Sequence, residues 1–462
     1  MPYENQLASK AAHFDIAKNP DVMAFLSGCD YLKQPSEAEG QSLAQYFTNV
    51  PPLSDTQSLP QRIIAIDGSL HETSIDNHLP STKVGYVKVS SVMIMLSQFE
   101  QLRTPDKQFV DPFKVATLKN NKDSLLFALP SANVIQKGRK SVRDSFRAAV
   151  DAYLFSEKTR FTTADAKTSL RSTLFQLASR RRDNLGTHDP NRLRLHKCPA
   201  CNAPGIELID IPGSQYCPAC KEEVFPSDCL RLWEEVSDFQ SNGQAMSRFM
   251  LQVEHIMPIH YLRYLMDNTP ESVGSLAFFV DGPLAVFGQG AWLHGAIMAY
   301  LDEVRRKMAE LQQPDLLIVG LQKTGQVVDY VNLIQRYIPN ERLYAIEDDY
   351  RYKYILGRDE SHNGFGDETY YGQDFIYKTA SGRHFVFAIP YTVPTKSGQF
   401  HTEKTKLNHY PQLPRALALI HHFESDLYRN AVIPIALAHR YTAISLSPGG
   451  RVLDLLTRAA LP

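Results

Sequence analysis

The stretch Arg62-Ile63-Ile64-Ala65-Ile66-Asp67-Gly68-Ser69 decides how this chain is read. A short apolar run carries one carboxylate into a glycine step, the pattern of a buried strand with a polar group at its end. The pattern returns at Leu276-Ala277-Phe278-Phe279-Val280-Asp281-Gly282-Pro283-Leu284. Taken singly, each Asp-Gly step is the ordinary chemistry of a tight turn, because both residues tolerate positive φ. Taken together, they place two carboxylates at the ends of two buried strands, where α/β sheets collect ligand groups.

Working outward, residues 1 to about 50 carry apolar positions at helical spacing (Leu7, Ala11, Phe14, then Val22, Phe25, Leu26), and Pro51-Pro52 closes that segment. After Asp67 the sequence predicts a polar loop from His71 to Lys83. One or two β-branched strands then run over 84–96, with a further strand at 123–129. Helices are expected across 141–182, with Phe225-Pro226-Ser227-Asp228 supplying an N-cap for a helix through Trp233. Another helix spans about 244–266, where Pro258 is expected to kink or split it. From Leu276 the chain alternates strand, helix, strand (315–320) and helix (324–337), which predicts parallel pairing. A hairpin around 379–382, a helix over 413–423 and a last element at 433–439 follow. The fold class is α/β with a mixed sheet.

The 462 residues can bury a full core, and the composition is that of an ordinary soluble chain. No apolar run approaches the roughly 18 residues that span a bilayer. Met1-Pro2-Tyr3-Glu4-Asn5 lacks the layout of a signal peptide, so the expectation is a cytoplasmic protein with no membrane partner. A net charge of −1 excludes a global electrostatic pull towards nucleic acid. Residues 137–197 are locally basic, with 15 Lys/Arg against 6 Asp/Glu. They read either as solvated helix faces or as a phosphate-binding face.

Six cysteines are present, four of them as Cys198-Pro199-Ala200-Cys201 and Cys217-Pro218-Ala219-Cys220. Each pair can aim two thiolates at one ion, and two pairs complete a tetrahedral Zn²⁺ site with no open position, hence a structural one. Cys29 and Cys229 are read as small apolar residues.

Between the two Asp-Gly steps, the helix over 244–266 offers Glu254 in Gln252-Val253-Glu254-His255. Three carboxylates gathered at one point repel unless a cation holds them, and an all-oxygen set suits Mg²⁺ or Mn²⁺. Lys323, just beyond the 315–320 strand, is a candidate phosphate contact. Arg351, Arg383 and His362 are weaker candidates, and Asp348-Asp349 reads as a solvated loop.

The chain resembles the NurA nuclease family. The resemblance rests on Ile64-Ala65-Ile66-Asp67-Gly68-Ser69, on Glu254 in its helix, on Phe279-Val280-Asp281-Gly282-Pro283-Leu284 and on Leu437-Ala438-His439. It implies a ribonuclease H-like core over residues 60–445, preceded by a helical segment (1–55). A zinc ribbon (195–225) is inserted in that core and a tail (446–462) follows it. It further implies catalytic Mn²⁺ at Asp67, Glu254 and Asp281, completed by His439. Single-strand endonuclease and 5′-to-3′ exonuclease activity, a homodimer and a HerA-type hexameric translocase as partner also follow, in DNA-end processing or defence against foreign DNA. Ala431 and Val432 stand where family members often carry Tyr-Pro. Two other functions use the same residues: a non-catalytic scaffold that binds DNA or a motor, and a ribonuclease or junction resolvase.

Overall fold

The structure is a computed structural model that describes residues 12–29, 35–76, 78–100, 122–357, 364–393, 395–425, 431–444 and 449–460. His362 lies outside the described residues. Three short helices come first: α1 (Ala12–Ala17), α2 (Pro20–Ser27) and α3 (Glu37–Ala44). Ser36 and Glu39 close a reciprocal capping box at the start of α3. Then come β1 (Thr48–Asn49), β2 (Arg62–Ser74), β3 (Lys83–Met95), α4 (Leu96–Glu100) and β4 (Lys122–Pro130). Helices α5 (Val142–Phe155) and α6 (Leu170–Ser179) lead to two small hairpins. These are β5 (Arg192–Arg194) with β6 (Glu207–Ile209), and β7 (Gln215–Tyr216) with β8 (Glu223–Val224). The second half holds α7 (Gly243–Asn268), β9 (Leu276–Asp281), α8 (Leu293–Glu310), β10 (Leu317–Gln322), α9 (Gln326–Ile334) and β11 (Arg342–Ala345). It closes with β12 (Gly372–Lys378), β13 (His384–Pro390), α10 (Leu413–Phe423), α11 (Ile433–Thr442) and α12 (Gly449–Ala460).

Among the described residues, nine strands form one mixed sheet in the order β1-β11-β12-β13-β10-β9-β2-β3-β4. β2, β3 and β4 make an antiparallel meander, while β9 runs parallel to both β2 and β10. The expected mixed-sheet α/β core is therefore present. Alternation along β2 and β9 divides their side chains between two cores. Ile64, Ile66, Phe278 and Val280 pack under Phe249 and Val253 of α7. Ile63, Ala65, Ala277 and Phe279 pack on the opposite face with Leu417 of α10 and Ile435 of α11. Both faces of these central strands are covered, which explains why they read as continuous apolar runs.

Several local expectations are corrected. Asp67 does not end its strand, and 71–83 is not a polar loop. β2 continues to Ser74 and pairs with β3 residue by residue, Asp67 opposite Ser90. Asp228 does not cap an α-helix. The segment Pro226–Leu230 is a 3₁₀ turn, and left-handed Arg231 separates it from a second one at Leu232–Glu234. The Asp228 carboxylate instead pairs with the buried Arg147 guanidinium at 2.7 Å, because a buried cation requires a counter-charge. Helix α7 runs past Pro258 without a break.

The basic stretch over 137–197 is largely neutralised. Lys140 pairs with Glu222 at 2.7 Å, Arg171 with Asp151 and Asp210 at 3.2 Å each, and Arg180 with Glu303 at 2.8 Å. Arg139 pairs with Glu223, and Arg192 and Arg194 share Glu207. Apart from Asp151, these partners lie beyond the segment, at 207–303, where a charge count within it cannot include them.

Candidate active site and four-cysteine cluster

The register of the parallel strands sets the site. Ile66 of β2 lies opposite Val280 of β9, and Asp281 lies opposite Leu321 of β10. Asp67 and Asp281 therefore stand side by side on adjacent strands. Both follow odd-numbered positions that face α10 and α11, as do Leu321 and then Lys323. The Lys323 ammonium lies 2.8 Å from Asp281 Oδ2 and 3.8 Å from Asp67 Oδ1. From α11, His439 Nδ1 is 3.1 Å from Asp67 Oδ2, and the Thr442 hydroxyl donates to the same oxygen at 2.5 Å. Asp67 is 2 % exposed, so these partners stand in for water around it.

Glu254 arrives from the other face of the sheet. Gly68 points towards α7, and a Cβ placed there would lie 2.4 Å from Glu254 Oε1 and 2.6 Å from Met250 Cγ. The missing side chain is what lets the helix settle this close and brings the buried Glu254 carboxylate to β2. The Gly68 amide hydrogen-bonds to that carboxylate. Behind it, His255 Nδ1 meets the Tyr371 hydroxyl at 2.8 Å, which fixes the rotation of α7 from its buried side.

The electrostatics reflect too many carboxylates for the positive charge present. Burial, then repulsion from Asp67 and Asp281, holds the Glu254 carboxyl well above the usual carboxylate range. Burial and a hydrogen bond shared with Asp67 push Asp281 up to about 7, with Lys323 opposing. An all-oxygen donor set that one ammonium leaves under-neutralised has the chemistry of a hard divalent cation site. The acidic set is looser than a closed ligand shell. Among the described residues, only the four cysteines bring three or more ligand atoms within 4.8 Å of one another.

The structure thus brings together Asp67, Glu254, Asp281, Lys323 and His439. Sequence reasoning missed Thr442; its only local signal is its position three residues after His439, on the same helical face. Arg351 is held by Asp374 at 2.6 Å, and Arg383 lies near Glu424, so neither stands among these residues. Asp348 is not in a solvated loop: Lys404 and His401 hold its carboxylate at 2.6 and 2.9 Å. Ala431 and Val432 are buried apolar residues.

The cysteines form a second centre. Cys198 Sγ lies 3.7 Å from Cys220 Sγ, and Cys201 Sγ lies 3.8 Å from Cys217 Sγ. A disulfide requires about 2.05 Å, whereas the edge of a tetrahedron with zinc–sulfur bonds of about 2.3 Å is roughly 3.8 Å. The two knuckles repeat one geometry. The residue after each second cysteine, Asn202 or Lys221, is left-handed, with φ of 61° and 63°. Its amide donates to the carbonyl of the first cysteine, at 3.0 Å from Cys198 and 2.9 Å from Cys217. Backbone amides of Cys220 and Ala219 bring the Cys217 thiol down to about 7 despite partial desolvation.

No family model and no curated protein matches the chain. Among solved structures, it aligns with the NurA nuclease from Sulfolobus solfataricus at 8% identity and a TM-score of 0.35, covering 97% of this chain and 96% of that one. Two further NurA structures align at 10% identity with a TM-score of 0.25, and, for one with manganese, at 12% with 0.24. They cover 99% and 98% of this chain, and 99% of each NurA chain.

Proposed function

We propose that the protein is a metal-dependent DNA nuclease that hydrolyses phosphodiester bonds. One observation carries the reading: three carboxylates, a lysine and a histidine converge from β2, α7, β9, the end of β10 and α11, and burial, with carboxylate repulsion that Lys323 only partly offsets, holds two of the carboxyls above their usual range. Asp67, Glu254 and Asp281 would hold Mn²⁺ or Mg²⁺, which supplies Lewis-acid charge at the scissile phosphate. Lys323 spans Asp67 and Asp281, so its ammonium can turn from a carboxylate to a non-bridging phosphate oxygen as substrate enters. With Nδ1 of His439 on Asp67, the other ring nitrogen, Nε2, is free to exchange a proton with the attacking or leaving oxygen. The His439 side chain is 51% exposed, so a strand in solution can reach it. Thr442 holds Asp67 Oδ2 from the buried side and keeps the carboxylate from rotating out of the site.

Single-strand endonuclease and 5′-to-3′ exonuclease action belong to the same proposal. So do a homodimer and a HerA-type hexameric translocase, in DNA-end processing or defence. These rest on the sequence resemblance. Nine of the fifteen basic residues of 137–197 stand in ion pairs, which leaves less free charge there to grip DNA unaided and favours such a motor. The four cysteines are proposed to hold one structural Zn²⁺. The test is to incubate the protein with single-stranded DNA and Mn²⁺, with and without EDTA, beside Asp67→Ala and Asp281→Ala. Cleavage that persists in folded variants or in EDTA would sink the reading.

A further inference from the structure

A cavity of about 270 Å³ lies where the end of α6 and the start of α8 meet Asp367 and Lys396. None of Asp67, Glu254, Asp281, Lys323 or His439 lines it. One wall is aromatic. The indole of Trp292 is fixed by its Nε1–H donating to Cys229 O at 2.9 Å, and the Arg181 guanidinium lies 4.5 Å from the ring centroid. Asp183 grips that guanidinium through two oxygens and keeps it flat, and Met298 and Ala296 extend the apolar surface.

The rest of the wall is cationic. Arg182 is exposed, and among the described residues it makes no ion pair or hydrogen bond. The Lys396 ammonium donates to the carbonyls of Gly366 and Asp367, at 2.9 and 2.7 Å, and lies 5.7 Å from the Tyr391 ring centroid. Burial brings the Lys396 pKa down to about 7, with the Asp367 carboxylate opposing, and an anion beside it would favour the ammonium form. Of the acidic groups of the wall, Asp183 is held by Arg181, and Asp367 meets His401 through Oδ2 while its buried Oδ1 has no partner among the described residues.

A fixed aromatic and guanidinium plate beside Arg182 and the Lys396 amine, neither of them in an ion pair among the described residues, is complementary to a planar ring that carries an anion. We propose that this cavity binds one nucleotide, its base against the Arg181–Trp292 plate and its phosphate between Arg182 and Lys396. The choice of a nucleotide among such ligands rests on the nuclease reading; the ring-plus-anion chemistry rests on the cavity alone. Its volume falls near the lower end for ligand pockets, roughly 300 Å³, which suits a single nucleotide rather than a length of strand.

Trp292 reports on the cavity directly, because the chain has only two tryptophans and the other, Trp233, is buried beneath Lys197 and does not line the cavity. The full-length protein in metal-free buffer is titrated with dTMP, thymidine, inorganic phosphate and a 5′-phosphorylated ten-residue oligothymidylate, reading tryptophan fluorescence. Saturable quenching by dTMP is expected, with thymidine and phosphate each about tenfold weaker or more. Arg182→Ala and Lys396→Met should each weaken dTMP binding about tenfold while the melting temperature holds. An oligothymidylate that binds more tightly than dTMP assigns the cavity to a strand end, and the reverse order assigns it to a free nucleotide. No saturable quenching at millimolar dTMP, or quenching indifferent to both substitutions, overturns the proposal. Neither result touches the Asp67→Ala cleavage test, so failure of the cavity and failure of the nuclease reading are told apart.

Discussion

Replacing Gly68 by alanine tests whether a missing side chain brings Glu254 into the site. The new Cβ would sit 2.4 Å from Glu254 Oε1, 2.6 Å from Met250 Cγ and 2.9 Å from its Sδ. Ordinary contacts begin near 3.5 Å, so the carboxylate must retreat by roughly 1 Å. A displacement of that size at a reacting centre costs about 100-fold in rate. Stability should change much less. Overpacking costs about 1–3 kcal/mol, Met250 is flexible, and alanine in place of glycine in a strand returns roughly 0.5–1 kcal/mol. Gly85→Ala is the control: it presses on Met246 of the same helix, 2.1 Å from Sδ, and touches no carboxylate. The assays are urea melts and cleavage of single-stranded DNA in Mn²⁺. Gly85→Ala should lose stability with its rate intact, and Gly68→Ala should lose rate out of proportion to stability. A folded Gly68→Ala protein with the wild-type rate would refute the role given to this contact.

Thr442→Val removes a hydrogen bond to a buried carboxylate, which is worth roughly 1.5–3 kcal/mol. Cleavage should fall by about tenfold or more and recover in Thr442→Ser, whereas equal rates in both variants would leave Thr442 a packing residue. Mn²⁺ at about 100 times its dissociation constant should stabilise the wild type by about 2.7 kcal/mol; a melting shift that survives in Asp67→Ala would place the ion elsewhere. Elemental analysis should find one zinc per chain, reduced in Cys198→Ser, and a zinc-free protein with intact thiols would remove the metal from the ribbon. Asp228→Ala should cost about 3–5 kcal/mol in urea melts, because it strands the Arg147 guanidinium in the interior; a loss under 1 kcal/mol would show that water reaches it.

What the sequence made legible was local. The Cys-X-X-Cys pairs declared a shared centre because each knuckle is built within five residues. The apolar runs at 62–66 and 276–280 declared central strands because both of their faces are buried. Asp67 was harder to place. Asp-Gly-Ser has the composition of a turn, yet thirteen paired positions with β3 carry the strand straight through it to Ser74, and pairing with a distant partner leaves no mark in a short window. Glu254 carried no local signature against Glu234, Glu235 and Asp267. What singles it out is Gly68, nearly two hundred residues earlier, and only the packing of α7 on β2 joins the two. The basic segment stayed open between two readings for the same reason, because most of its counter-charges come from other elements.

A sheet ordinarily keeps its two faces apart, and the site depends on breaching that rule at one residue. Asp67, Asp281 and Lys323 belong to the α11 face, whereas Glu254 belongs to the α7 face and meets them only where β2 has no side chain. The consequence is electrostatic. Three carboxylates facing one ammonium leave a formal charge of about −2 in a desolvated place, and the raised Glu254 and Asp281 carboxyls are the response to it. Protonation would quench that charge but leave the groups poor ligands. A further lysine would quench half of it and fill the cleft a phosphate must enter. A divalent cation quenches all of it and still presents positive charge outward. The charge balance across Gly68 is therefore better matched by the proposed divalent cation than by a lysine-only anion site.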